Sequence, residues 1–83
     1  GYSSYLYLAN LPVSFLKIEG WLVAHMRQDR KIAGIVESLA SFARKEGMRT
    51  VAEHVEDPET ARILADMGVD YAQGWHFGRP ELA

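Results

Sequence analysis

Short apolar runs alternate along this chain with longer segments whose apolar residues recur at helical spacing. The runs cover residues 13–19, 49–53 and 69–73, and the longer segments cover residues 30–46 and 57–67. Segments of this length can cross from one strand to a parallel neighbour. The alternation therefore predicts an α/β fold with three parallel strands and helices packed on them, either doubly wound or a barrel.

Capping residues mark the ends of the two long helices. Asp57-Pro58-Glu59 is typical of a helix start, with a capping Asp, Pro at the first helical position and an acid in the first turn. Gly47 stands where a left-handed residue would end the first helix, and the second helix is expected to stop at Gly68. One face of the first helix carries the apolar residues Ile32, Ile35, Val36, Leu39 and Ala43.

Three further segments are short or irregular. Residues 5–10 predict a short helix after candidate caps at Ser3 and Ser4, and residues 21–26 predict another helical turn. Residues 74–83 contain two glycines and Pro80, so we expect more loop than regular structure there.

Three strands are too few to close a barrel, and parallel strands normally need cover on both faces. We therefore expect the 83 residues to be an incomplete wedge of a larger domain that starts upstream of Gly1. The open faces should be covered by that upstream part or by a second copy, so we also expect a homo-oligomer.

The composition argues against several classes of function. The formal net charge is −2 and Lys and Arg are not clustered, so we expect no DNA partner. The chain has no cysteine, which excludes disulfides and thiolate metal sites and agrees with a cytoplasmic location. No apolar run has the length needed to cross a bilayer, so we expect no membrane contact from this segment.

Polar side chains stand near the C-terminal ends of the three predicted strands. Lys17, Glu53 and Gln73 hold these positions, and side-chain alternation places Lys17 on the face of Phe15. Open sheets and barrels place their ligands at this end of the strands. Two interpretations stay open from the pattern alone: Lys17 and Glu53 form a structural ion pair at the rim, or they belong to a polar site at the mouth of a barrel.

Five stretches in the same order resemble the EAL domain family, and together they cover essentially the whole chain. Phe15-Leu16-Lys17-Ile18-Glu19 is similar to the family's L-K-I-D, and Val51-Ala52-Glu53-His54-Val55-Glu56 to its V-A-E-G-V-E. Asp70-Tyr71-Ala72-Gln73-Gly74-Trp75 is similar to D-x-x-Q-G-Y, and Phe77-Gly78-Arg79-Pro80 to F-S-R-P. Gly1-Tyr2-Ser3-Ser4 with Leu11-Pro12 resembles its G-Y-S-S-L…L-P. The resemblance implies that residues 1–83 are the C-terminal segment of one EAL domain whose N-terminal part lies upstream of Gly1, and that the fold is the C-terminal part of a TIM-like (β/α) barrel.

The resemblance also implies a reaction and its participants. Members of the family use Mg²⁺ or Mn²⁺ to activate a water that attacks one phosphodiester of cyclic di-GMP. Lys17 matches a lysine that contacts the attacking water and a phosphate oxygen. Glu53 matches a glutamate assigned as general base or as part of the metal and water shell. Gln73 matches a glutamine that orients the metal site through hydrogen bonds.

Supporting roles are implied for other residues. Glu56 and Glu19 match acids expected to hold the active-site loops. Trp75 and Phe77 could stack on guanine, and Arg79 could approach a phosphate, although packing and pairing with Glu81 are simpler explanations.

Departures from the family pattern leave the matched catalytic positions intact. Glu19 replaces an Asp, Trp75 replaces a Tyr, and His54 replaces a Gly, which is costly if the backbone needs a positive φ there. Most of the family's metal ligands would lie before Gly1, so the segment alone is expected to bind no cofactor and to be inactive. The alternative is a degenerate EAL domain that binds cyclic di-GMP without cleaving it.

Overall fold

A computed structural model describes residues 14–74 and the backbone of residues 81–82. In chain order the elements are β1 (Ser14–Ile18), α1 (Gly20–His25), α2 (Arg30–Lys45), β2 (Met48–Ala52), α3 (Pro58–Asp66), β3 (Tyr71–Ala72) and β4 (Glu81–Leu82). The helix predicted over residues 5–10 lies outside the described residues.

The four strands form one sheet in the order β1-β2-β3-β4. β1, β2 and β3 are parallel, with Lys17 opposite Val51 and Ala52 opposite Ala72. The predicted fold class, α/β with three parallel strands and alternating helices, is thus confirmed.

The prediction was wrong in two details near the end of the chain. Residues 81–82 form a strand antiparallel to β3, where a loop was expected. This pairing occupies an edge of β3 that would otherwise be open. β3 itself is confined to two residues rather than residues 69–73. The two residues before β3 make other contacts. The Val69 N–H donates to the Leu64 carbonyl, and the Asp70 carboxylate accepts the Thr50 N–H.

The end of α3 explains part of this shortening. The Gly68 N–H donates to the Ala65 carbonyl at 3.0 Å, and the Val69 N–H donates to the Leu64 carbonyl at 3.0 Å. This is the Schellman arrangement, which requires a left-handed residue at Gly68, where φ is 92°. The amide of Val69 therefore belongs to the helix cap and is not available to the sheet.

The caps predicted at Asp57 and Gly47 are present, and the structure adds one at Asp29 that was not predicted. Asp57 accepts the Thr60 N–H at 2.8 Å and Pro58 opens α3. Gly47 follows α2 with a φ of 71°. Asp29 begins α2 by accepting the N–H groups of Lys31 and Ile32 at 2.9 and 3.4 Å.

The helices cover one face of the sheet. Val36, Ala40 and Ala43 of α2 are buried, whereas Ile35 is 45% exposed because the stripe facing the sheet is centred on the other three. The core comprises Ile18, Leu22, Val23, Met26, Val36, Ala40, Ala52, Val55, Leu64, Val69 and Ala72.

The opposite face of the sheet carries the alternate side chains of each strand. Phe15 and Lys17 are exposed, while Leu16 and Ile18 point to the helices. The rings of Phe15 and Tyr71 approach to 6.3 Å between centroids although β2 separates their strands. Neighbouring strands lie about 4.8 Å apart, so these rings lean towards each other across β2. The side chains of this open face converge, as they do inside a barrel.

Within residues 14–74, no helix has the length and apolar character needed to cross a membrane.

Candidate functional site

Lys17 and Glu53 lie side by side where β1 and β2 end. The Glu53 N–H donates to the Ile18 carbonyl at 3.1 Å, which continues the ladder between the two strands by one residue. The Lys17 Nζ lies 3.6 Å from the Glu53 Oε2. The lysine side chain is 58% exposed and the glutamate side chain 27%, so the pair is open to a ligand from the solvent side.

Gln73 occupies the corresponding position after β3. Its N–H donates to the Ala52 carbonyl at 2.8 Å, and its carbonyl accepts the Val55 N–H at 3.0 Å. Ala72 before it is buried on the helix side, so alternation places the Gln73 side chain on the open face with Lys17 and Glu53. The structure therefore brings all three predicted catalytic residues to neighbouring strand ends at one edge of the sheet.

The Lys17–Glu53 ion pair contributes little to the stability of the fold. Exposed pairs of Lys and Glu contribute about 0–1 kcal/mol, because solvent screens the charges and ordering the side chains costs entropy. The arrangement places an ammonium and a carboxylate side by side, within reach of the same bound ligand. A phosphate oxygen can lie against the first while the second holds a water.

The turn after β2 packs closely against Gly74. Val55 is fully buried, and its backbone passes so close to Gly74 that a Cβ there would come within 2.6 Å of the Val55 carbonyl carbon. Only glycine fits at that position. Between Glu53 and Val55, His54 has a φ of 59°, so the positive φ considered for this position is present and is occupied by a histidine.

Glu56 lies beside a polar cavity of about 190 Å³ between α1 and the start of α3. The cavity is lined by Val23, Ala24, Arg27, Gln28, His54, Glu56, Asp57 and Thr60, so it does not include Lys17, Glu53 or Gln73. Glu19 precedes α1 as its N-cap, and its side chain makes no capping hydrogen bond. Both acids thus stand on the connections that follow β1 and β2.

The Asp57 cap of α3 makes the stability of the fold depend on pH in the acid range. The Thr60 N–H, and to a smaller extent Arg27, hold the pKa of Asp57 below its ordinary value of 3.8. Because the folded-state pKa is the lower one, the charged cap stabilises the fold above pH 3.8, and this contribution is lost as pH falls through the folded pKa.

We expect Asp57→Asn, which keeps a capping oxygen but does not titrate, to be less stable than the original chain near neutral pH. The difference in melting temperature should shrink as pH is lowered below about 4. Thermal melts of both forms between pH 3 and 6 measure this difference in melting temperature. A difference independent of pH would contradict the lowered pKa of Asp57.

The Asp70 carboxylate is a polar contact that sequence reasoning treated only as part of a motif. Its Oδ2 accepts the Thr50 N–H at 2.9 Å and the Thr50 hydroxyl at 3.2 Å, while the Asp70 N–H donates to the Thr50 hydroxyl oxygen at 2.9 Å. Thr50 is only 1% exposed. The side chain of Asp70 thus replaces a strand residue beside β2, which explains why β3 begins only at Tyr71.

The described residues do not by themselves fit a divalent metal. Among residues 14–74, no group of three or more His, Asp and Glu side chains is placed to hold an ion. Glu53 supplies one carboxylate, whereas Mg²⁺ requires near-octahedral oxygen coordination. The three residues considered for substrate contact, Trp75, Phe77 and Arg79, lie outside the described part of the chain.

Comparisons with known proteins point to one family. A family model described as the EAL domain matches residues 1–80. The chain is 42% identical over 81 residues to the cyclic di-GMP phosphodiesterase PdeB of Shewanella oneidensis, covering 98% of the chain and 10% of that protein.

Two solved structures are similar over nearly the whole chain. One is the PaMucR phosphodiesterase in complex with c-di-GMP, at 37% identity and a TM-score of 0.75, covering 100% of this chain and 34% of that one. The other is an EAL domain protein from Listeria monocytogenes, at 39% identity and a TM-score of 0.74, covering 96% and 32%.

The chain thus spans about a tenth of the length of PdeB and about a third of each solved chain. The family match runs through all three strand ends that carry Lys17, Glu53 and Gln73, and it leaves only the last three residues outside. This chain belongs to the EAL domain family.

Proposed function

We propose that this chain is part of an EAL domain that hydrolyses cyclic di-GMP to the linear dinucleotide pGpG. The observation that carries the proposal is the ammonium of Lys17, 3.6 Å from the carboxylate of Glu53 on the open face of the sheet. Gln73 follows the next strand on the same face. PdeB, which is named a cyclic di-GMP phosphodiesterase, and the PaMucR complex with c-di-GMP support this choice of substrate.

Lys17 has the role of a cation beside the scissile phosphate. Attack by water on phosphorus increases the negative charge on the phosphate oxygens, and an ammonium fixed nearby stabilises that charge more in the transition state than in the ground state. The lysine side chain is 58% exposed, so it can reach a ligand that lies over the open face.

Glu53 has the role of orienting the attacking water and accepting its proton. Its backbone is fixed by the hydrogen bond to Ile18, so the carboxylate starts from a defined strand end. Gln73, fixed by hydrogen bonds to Ala52 and Val55, would orient groups bound next to Glu53. Glu56 and Glu19 would support the connections that carry these residues.

EAL phosphodiesterases depend on metals in general, and we propose Mg²⁺ or Mn²⁺ here. Of the described residues only Glu53 would face the ion, and the remaining ligands would come from the two thirds of an EAL domain that this chain does not span.

The test uses a complete EAL domain that carries this segment. Purified domain is incubated with cyclic di-GMP and added Mg²⁺ or Mn²⁺, the products are separated by chromatography, and binding is measured by calorimetry. We expect pGpG to accumulate. Binding without cleavage would favour the degenerate, binding-only alternative, and neither binding nor cleavage would contradict both.

A further inference from the structure

His54 is the one residue other than glycine with a positive φ between residues 14 and 74, and it directly follows Glu53. Left-handed backbone is unfavourable for residues with a Cβ, although His tolerates it better than most. A histidine in this conformation needs contacts that hold it there. The turn that it forms fixes how the chain passes from Glu53 to the buried Val55.

The imidazole of His54 packs directly over Gly20, the first residue of α1. A Cβ built on Gly20 would lie 2.8 Å from the imidazole Cε1, and closer still to Nδ1, whereas real Cβ atoms essentially never come within 3.0 Å. Gly20 is buried although it stands at a helix start. The ring therefore occupies the space that any side chain at position 20 would need.

We propose that His54 is a positioning residue for Glu53, acting through this contact with Gly20. The contact joins the turn after β2 to the helix that follows β1, and those two strands carry Glu53 and Lys17. It thereby supplements the backbone hydrogen bond from Glu53 to Ile18. The inference deepens the proposed function, since it rests on Glu53 acting on the substrate.

Gly20→Ala tests the contact with a single methyl group. The imidazole is at the end of an exposed side chain, so it can rotate away, and alanine favours the helix more than glycine does. In a complete EAL domain carrying this chain, we expect kcat to fall about 10-fold with KM changed less than about 2-fold, because misplacing a catalytic group by a fraction of an ångström slows the chemical step.

Gly34→Ala is the matched control. Gly34 also lies in a helix, but a Cβ there meets nothing within 4 Å. We expect this variant to keep kcat and KM and to melt at a slightly higher temperature.

A double-mutant cycle with His54→Gly separates the shared contact from two independent defects. Each single change removes the same contact, so we expect about a 10-fold loss in His54→Gly and about 10-fold, not 100-fold, in the double variant. His54→Asn, which tolerates the left-handed backbone without a ring, should behave like His54→Gly. Losses that multiply, or a kcat unchanged by Gly20→Ala, would overturn the proposal.

Exchange of the Val55 amide hydrogen gives a readout independent of turnover. This N–H donates to Gln73 at 3.0 Å and reports on the turn. We expect faster exchange in Gly20→Ala and His54→Gly, with no further increase in the double variant. A domain that shows this coupling but cleaves no cyclic di-GMP would refute the proposed function and not the contact. Unchanged exchange in both single variants would refute the contact.

Discussion

Glu53→Gln in a complete EAL domain carrying this chain is expected to lower kcat by about 10²- to 10⁴-fold, the usual loss when a general acid or base is removed. Glutamine keeps the size of the side chain and its capacity for hydrogen bonds, but it can neither accept a proton nor carry a charge. The 3.6 Å pairing with Lys17 is lost at the same time. Initial rates of pGpG formation at saturating cyclic di-GMP measure the effect.

Glu37→Gln is the control for this variant. Glu37 is exposed on α2, so the same change of charge is made away from the strand ends. We expect less than about a 2-fold change in kcat, as for surface substitutions in general. Circular dichroism should show both variants folded. A Glu53→Gln variant that retains the original rate would show that Glu53 has been given the wrong role.

The positions of the candidate site residues could be predicted because strand parity is a strict constraint. A strand that buries Ile18 and Ala52 against helices must turn Lys17 and Glu53 to the opposite face, and parallel strands bring their C-terminal ends to one edge. Helix caps were equally predictable, since Asp57, Gly47 and Gly68 act through local backbone geometry. Both kinds of inference depend on short-range rules.

The features that were missed depend on contacts between distant residues. β4 has two residues, too few to show a period, and its backbone pairs with β3. The contact of His54 with Gly20 joins residues 34 positions apart in sequence, and no local sequence pattern indicates it. The substitution of His for the family's Gly did raise the question of a positive φ, but not what would stabilise it.

Asp70 is the clearest case of a residue whose role only the fold reveals. Asp70 stood inside the predicted third strand, residues 69–73, and the structure instead uses its carboxylate as a partner for β2. A strand residue would have offered a carbonyl to the Thr50 N–H. The aspartate offers a charged oxygen to that N–H and to the Thr50 hydroxyl, and hydrogen bonds to charged acceptors are the stronger kind.

Asp70→Ala is therefore expected to lower the free energy of unfolding by about 2–3 kcal/mol, because it leaves the buried N–H and hydroxyl of Thr50 without their acceptor. Thr50→Val is the matched comparison: it keeps the shape and the N–H bond to Asp70, but it removes both hydrogen bonds of the hydroxyl and leaves the Asp70 N–H without its acceptor, at a cost of about 1–3 kcal/mol. Urea unfolding of the complete domain, followed by fluorescence and circular dichroism, measures both. The turnover of folded Asp70→Ala should stay within a few-fold of the original, since Thr50 points to the helices and Glu53 to the open face. An Asp70→Ala variant as stable as the original chain would show that the Asp70 carboxylate does not replace a strand bond beside β2.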